Sequence, residues 1–277
     1  MKNVKYTLLA AVVGGAFALS STANAAFLSY YFDPDGAGPQ DSVLVNEFLN
    51  YTGNVYVENE YQNGNDFTLQ QSGYSQISGK DGNISSALVG ADIFARYSGG
   101  GFGNFDSGSV SFTDGSLELF SGGFDGTRIA AFDIIGGGSQ QLELTGAPDG
   151  ASGLDARATF FEEGYFFKNN NGSIGQDFAT LNLNENIIFG FATNDLSLIT
   201  SQGTIDGAQS VLDMAFPGNT FSGVTVADES GRLTNLYAGA DGQFRLSTVP
   251  EPGMLGMAGV GLLALGFAMR RRRDSQL

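Results

Sequence analysis

The sequence predicts an all-β ectodomain, an antiparallel sandwich or jelly-roll-like fold, framed by an N-terminal signal peptide and a single C-terminal transmembrane helix. Three observations carry this expectation. Glycine is abundant and proline scarce, 41 against 6 in 277 residues, a composition that suits a chain cut by tight turns. Between the glycines, apolar and polar residues alternate over short runs, the period of a half-buried strand. Few apolar runs reach helical length except at the two ends of the chain.

The N-terminal end reads as an export leader. Lys2 and Lys5 form a positive n-region, Tyr6 to Leu19 a mostly apolar stretch, and Ala23-Asn24-Ala25 a small-x-small cleavage site before Ala26. Residues 1–25 are thus expected to be removed, leaving an extracellular body over 26–248 and a tail over 249–277. An exported chain without cysteine has no disulfide to stabilise it. Its core is expected to be built from Phe, of which the whole chain has 23, together with Leu, Ile and Val, since Trp is absent.

The first distinctive segment of the body is Asp33-Pro34-Asp35-Gly36-Ala37-Gly38-Pro39-Gln40-Asp41. Carboxylates at Asp33, Asp35 and Asp41 around glycines are candidate oxygen ligands for Ca²⁺. Counted as an EF-hand loop from Asp33, the pattern fails where Ala37 stands for a third ligand and Leu44 for the bidentate Glu. The competing reading is an acidic surface turn after the first strand.

The strands follow in order. Ser109–Thr113 and Ser116–Phe120 flank Asp114-Gly115, which accepts the positive φ angles of a two-residue turn, so a hairpin is expected there. Arg128–Ile135 and Gln140–Thr145 flank Gly136-Gly137-Gly138 as a second pair. Ala156–Phe161 and Tyr165–Phe167 flank Glu162-Glu163-Gly164 as a third, ending in the turn-rich Asn169-Asn170-Asn171-Gly172. Asn186–Ala192 and Leu196–Thr200 are separated by Thr193-Asn194-Asp195. Gly223–Val226 and Gly242–Ser247 complete the strands, and one short helix is expected around Ala208 to Ala215.

Charge and composition then narrow the chemistry. The whole chain carries −16. Setting aside Lys2, Lys5 and the four tail arginines, with Glu251 and Asp274, leaves 27 acids and 7 bases in the body, a net −20. Such a surface repels nucleic acid, so no nucleic-acid partner is expected. With no His and no Cys, neither a Ser-His nor a Cys-His nucleophile is available, nor a zinc site built from those residues. No catalytic residue is assigned and no cofactor is expected, Ca²⁺ at Asp33, Asp35 and Asp41 being the one candidate. Carboxylate pairs remain the only visible route to hydrolysis.

The tail is the most specific part of the sequence. Val249-Pro250-Glu251-Pro252 leads into the apolar run Gly253 to Met269, followed by Arg270-Arg271-Arg272-Arg273. Pro250 and Pro252 fix φ and hold Val249 and Glu251 extended, a shape that a protease can read. Seventeen helical residues span about 25 Å, just short of a hydrocarbon core of about 30 Å. The arginines hold the C-terminal side in the cytoplasm by the positive-inside rule. Motif, short helix and arginine stop in this order resemble the PEP-CTERM sorting signal of Gram-negative bacteria.

That resemblance implies recognition of Val249, Pro250, Glu251 and Pro252 by an exosortase-like processing protease. It also implies an inner-membrane-anchored precursor, delivery to the cell surface or extracellular matrix, and association with exopolysaccharide. Phe32-Asp33-Pro34 followed by Asn46-Glu47-Phe48 resembles a flocculation-associated subset of such proteins. The expected function is therefore a non-enzymatic envelope or matrix protein that contributes to biofilm or floc formation. The alternative is a secreted carbohydrate-binding or carbohydrate-active protein using Asp and Glu.

Overall fold

The computed structural model describes residues 26–140, 151–181, 187–229 and 232–248. Phe27–Ser247 forms one compact unit, and of the terminal segments only Ala26 and Thr248 fall within the described residues. The chain opens with β1 (Ala26–Phe27), β2 (Tyr30–Phe32) and β3 (Val43–Val45), with a 3₁₀ turn at Pro39–Asp41 between the last two. The long staves β4 (Leu49–Asn63) and β5 (Asp66–Lys80) follow, then β6 (Asn83–Ile84) and the short helix α1 (Ser86–Gly90). Three more staves are β7 (Phe94–Asn104), β8 (Ser109–Ser121) and β9 (Thr127–Gln140), and β10 (Ala151–Phe161) is the next. After β11 (Phe166–Asn170) and β12 (Ser173–Asp177) come β13 (Ile187–Leu198), helix α2 (Gln202–Ala215), β14 (Val226–Ala227) and β15 (Leu233–Thr248).

Eight of these strands form one antiparallel sheet that closes on itself. Its order is β15-β13-β10-β9-β8-β7-β5-β4, and β15 pairs again with β4 from Asn235↔Glu58 to Phe244↔Leu49. The all-β antiparallel expectation is met, with the two packed walls of a sandwich belonging to one continuous sheet. The eight strands follow one another around the sheet in chain order, with β6, β11, β12 and β14 lying off that path, so the path is an up-and-down meander. Among the described residues, closure gives each of the eight strands a paired neighbour on both sides.

Alternation decides which way each side chain points. On β4, Leu49, Tyr51, Val55 and Val57 turn inward, while Thr52, Glu58 and Glu60 face solvent. The interior is filled by a relay of rings. Phe32 meets Phe166 at 4.8 Å, Phe166 meets Phe161 at 5.1 Å, and Phe161 meets Phe132 at 5.7 Å. The relay continues through Phe189 at 4.4 Å and Phe244 at 5.0 Å to Tyr51 at 4.5 Å. Each fully buried ring contributes about 1.5–3 kcal/mol. Phe32 and Phe166 belong to a second sheet, β12-β11-β2-β3, whose aromatic face joins the same core.

The structure corrects several local expectations. Asp114-Gly115 does not turn: β8 runs through it, with a bulge where Gly100 faces Asp114 and Gly101 faces Phe112. Gly115 takes its positive φ of 144° inside the strand, where a Cβ would lie 2.2 Å from the Ser98 carbonyl oxygen. Likewise Gly136-Gly137-Gly138 lies within β9, against β10, and Thr193-Asn194-Asp195 lies within β13. The partner expected at Gln140–Thr145 lies almost wholly outside the described residues.

Other expectations hold in part. Strands do occupy Ala156–Phe161 and Phe166–Phe167, but they belong to different sheets, so they form no hairpin. Asn171-Gly172 does turn, with φ of 53° and 87°, between β11 and β12. The expected helix is present but starts earlier, at Gln202. Its buried residues Ile205, Ala208 and Leu212 pack with Tyr56, Ile199, Phe221 and Tyr237 on the outside of the closed sheet.

Candidate functional site

One region of the described body is a candidate for chemistry, a second carries the resemblance to the flocculation-associated subset, and the structure adds a third. The first is the acidic loop between β2 and β3. Asp33 is fully buried, and its carboxylate accepts the Gly38 amide at 2.8 Å and the Asp35 amide at 3.3 Å. Asp35 in turn accepts the Ala37 amide at 3.0 Å. Burial and the neighbouring Asp35 carboxyl push Asp33 above the usual carboxylate range, against the pull of the two amides. The Ala37 amide holds Asp35 below it.

Asp41 sits apart from this pair, exposed at the end of the 3₁₀ turn. Among the described residues no three Asp or Glu side chains converge as a metal site would require. Asp33 instead organises its own loop. The loop is tied to the body by the Asp33 amide on the Tyr165 carbonyl at 2.8 Å and by Ser121 Oγ on the Pro34 carbonyl at 2.7 Å.

The segment Asn46-Glu47-Phe48 has an equally structural partner in Asp81. Asp81 and Gly82, with φ of 50° and 79°, form the two-residue turn between β5 and β6. The Asp81 carboxylate accepts the amides of Asn46 at 3.0 Å, Glu47 at 2.8 Å and Phe48 at 3.2 Å, and Asn46 Nδ2 at 3.1 Å. Burial opposes its ionisation, but these donors prevail and hold its carboxyl below the ordinary value. Sequence reading missed Asp81. An Asp-Gly pair between alternating runs was the available signal.

The third region is a groove of about 470 Å³ on the outside of the closed sheet, beside α2. Thr52 and Asn54 of β4, Tyr74 and Gln76 of β5, and Phe94 of β7 form much of its wall, with Gly239 and Asp241 of β15. Asn54 Nδ2 donates to the Tyr74 hydroxyl at 2.6 Å, fixing that ring. Phe124 stands behind Phe94 at 5.0 Å and meets Tyr74 edge-on at 6.5 Å. Helix α2 is held in place by Arg96, which pairs with Glu118 at 2.7 Å and donates to the Ala215 carbonyl at 2.8 Å. A cation at a helix C-terminus also offsets the helix dipole. Sequence reading did not place these residues together; Tyr74, an aromatic at an outward strand position, was the signal.

The seven bases of the body are largely committed within it. Lys80, Arg96, Arg128 and Arg232 form ion pairs, and Arg245 lies between the rings of Phe27 at 5.0 Å and Phe48 at 5.2 Å. The negative surface is left without their compensation. Among the described residues no helix is long and apolar enough to cross a membrane.

The remaining candidates, the cleavage residues Ala23 and Ala25, the motif Val249 to Pro252 and the stop Arg270 to Arg273, lie outside the described residues. Ala26 is the first residue of β1, and β15 ends at Thr248, directly before the motif in sequence. Neither a curated protein nor a solved structure matches the chain. Residues 248–273 match the family profile described as the PEP-CTERM protein-sorting motif. The chain thus carries a PEP-CTERM sorting motif, the mark of an exported protein sorted by exosortase.

Proposed function

We propose that this is a non-enzymatic protein of the envelope or extracellular matrix, processed by an exosortase-like protease and contributing with exopolysaccharide to biofilm or floc formation. The observation that carries the reading is the sorting motif at residues 248–273, attached to a body that offers surface and little reactive chemistry. The precursor is held in the inner membrane of a Gram-negative cell by the tail until processing. The closed sheet supports this role by its build. Its main aromatic and aliphatic cluster fills the interior, and many of its outward strand positions carry polar or acidic side chains, as suits a protein dispersed in a hydrated matrix.

Carbohydrate hydrolysis is the weaker alternative. It needs two carboxyl groups across one cleft, and among the described residues the groove beside α2 is lined by one, Asp241. Deleting the gene and scoring flocs tests the proposal. Loss of aggregation, restored by the intact gene but not by one lacking residues 249–277, is the expected result. Normal flocs in the deletion strain would overturn it.

A further inference from the structure

We propose that the groove beside α2 is a binding site for a neutral, hydroxyl-rich glycan chain. The proposal rests on the matrix reading above and names where the polysaccharide partner is held.

The lining selects this ligand class by chemistry. The side chains of Thr52, Asn54, Gln76 and Ser197 bring hydroxyls and carboxamides, groups that donate and accept at once and so match sugar hydroxyls. Half-buried Tyr74 and Phe94 supply ring surface for the apolar face of a sugar ring. Among the described residues no Lys or Arg lines the groove, and Asp241 does. With the body at net −20, phosphate, nucleic acid and uronate chains are repelled. A peptide strand finds no free edge, because the staves beneath the groove are paired on both sides. The volume of about 470 Å³ falls within the roughly 300–1,000 Å³ of ligand clefts.

Gly239 is an independent pointer. It pairs opposite Asn54, between outward-facing Tyr237 and Asp241, and its φ is not in the left-handed region. A Cβ there would meet Ser197 Oγ at 3.2 Å and no backbone atom closer than 3.9 Å. What crowds that Cβ is a side-chain hydroxyl, which can turn aside. Its absent side chain keeps the floor of the groove open.

The full chain, in a polyoxyethylene detergent free of sugar headgroups, is titrated calorimetrically with cellohexaose, maltohexaose and an oligogalacturonate. Saturable heat with a neutral hexasaccharide and none with the galacturonate is expected. Gly239→Leu, which fills the floor, and Gln76→Ala, which removes one amide, should each weaken binding at least about tenfold, or 1.4 kcal/mol. A thermal melt of each variant confirms folding, and Gln76→Ala carries the test if Gly239→Leu does not fold. No heat with either neutral sugar, equal heat with the galacturonate, or unchanged affinity in Gln76→Ala would overturn the site. Flocs that depend on the gene alongside a failed titration would remove the groove and leave the matrix role standing.

Discussion

Leu28 donates its amide to the Leu246 carbonyl at 2.9 Å, so the two ends of the folded unit lie side by side. Arg245 reinforces this junction, its guanidinium lying between Phe27 and Phe48. Each cation–π contact is worth about 0.5–1 kcal/mol. Arg245→Ala is therefore expected to destabilise the protein by about 1–2 kcal/mol and to lower the melting temperature by about 2–8 °C. Tyrosine circular dichroism on heating measures it, and an unchanged melt would show that the junction contributes nothing.

Asp81 gives a prediction with a defined pH dependence. Its carboxyl is held below 3.8 in the fold, so the unfolded chain binds the proton more readily as pH falls. The stabilisation is complete above the unfolded value and is lost as pH drops through the folded one. Asp81→Asn keeps a residue that tolerates the positive φ but loses the charge, and should cost about 1.5–3 kcal/mol at neutral pH. Denaturant midpoints of variant and parent should converge in acid. A gap that stays constant down to pH 2 would contradict the assignment.

The Asp33 loop is expected to behave as a structural turn. Asp33→Ala leaves the Gly38 and Asp35 amides without their acceptor and should cost about 1–3 kcal/mol. The carboxyl of Asp33 is raised in the fold, so its effect runs opposite to that of Asp81. Stability from this group is highest below 3.8 and declines as pH rises through the folded value. Millimolar Ca²⁺ should leave the melting temperature of the parent unchanged. A clear upward shift that Asp33→Ala abolishes would instead establish a calcium site.

The class of the fold was legible because alternation survives any arrangement of the strands. Val110 with Phe112 and Leu117 with Leu119 show it directly. Strand length was not legible, since glycine punctuates turns in most chains but lies within staves here. Gly73 shows why: a Cβ there would lie 2.2 Å from the buried ring of Tyr97, so the glycine makes room for a core aromatic. Two Asp-Gly pairs of the same local composition also part company. Asp81-Gly82 turns because residues 46–48, far away in sequence, supply donors for the carboxylate, whereas Asp114-Gly115 is held extended by its pairing with Gly100 and Gly99 of β7. The groove was illegible for the same reason, its wall being drawn from β4, β5, β7, β13, β15 and α2. The sorting motif needed no fold at all, because its signal is contiguous.

On the proposed reading this acidic closed sheet is delivered by a tail that sorting removes. Intact-mass spectrometry of the protein recovered outside the cell tests it most directly. A polypeptide that begins at Ala26 and lacks Arg270 to Arg273 is predicted. A mass equal to all 277 residues would contradict it.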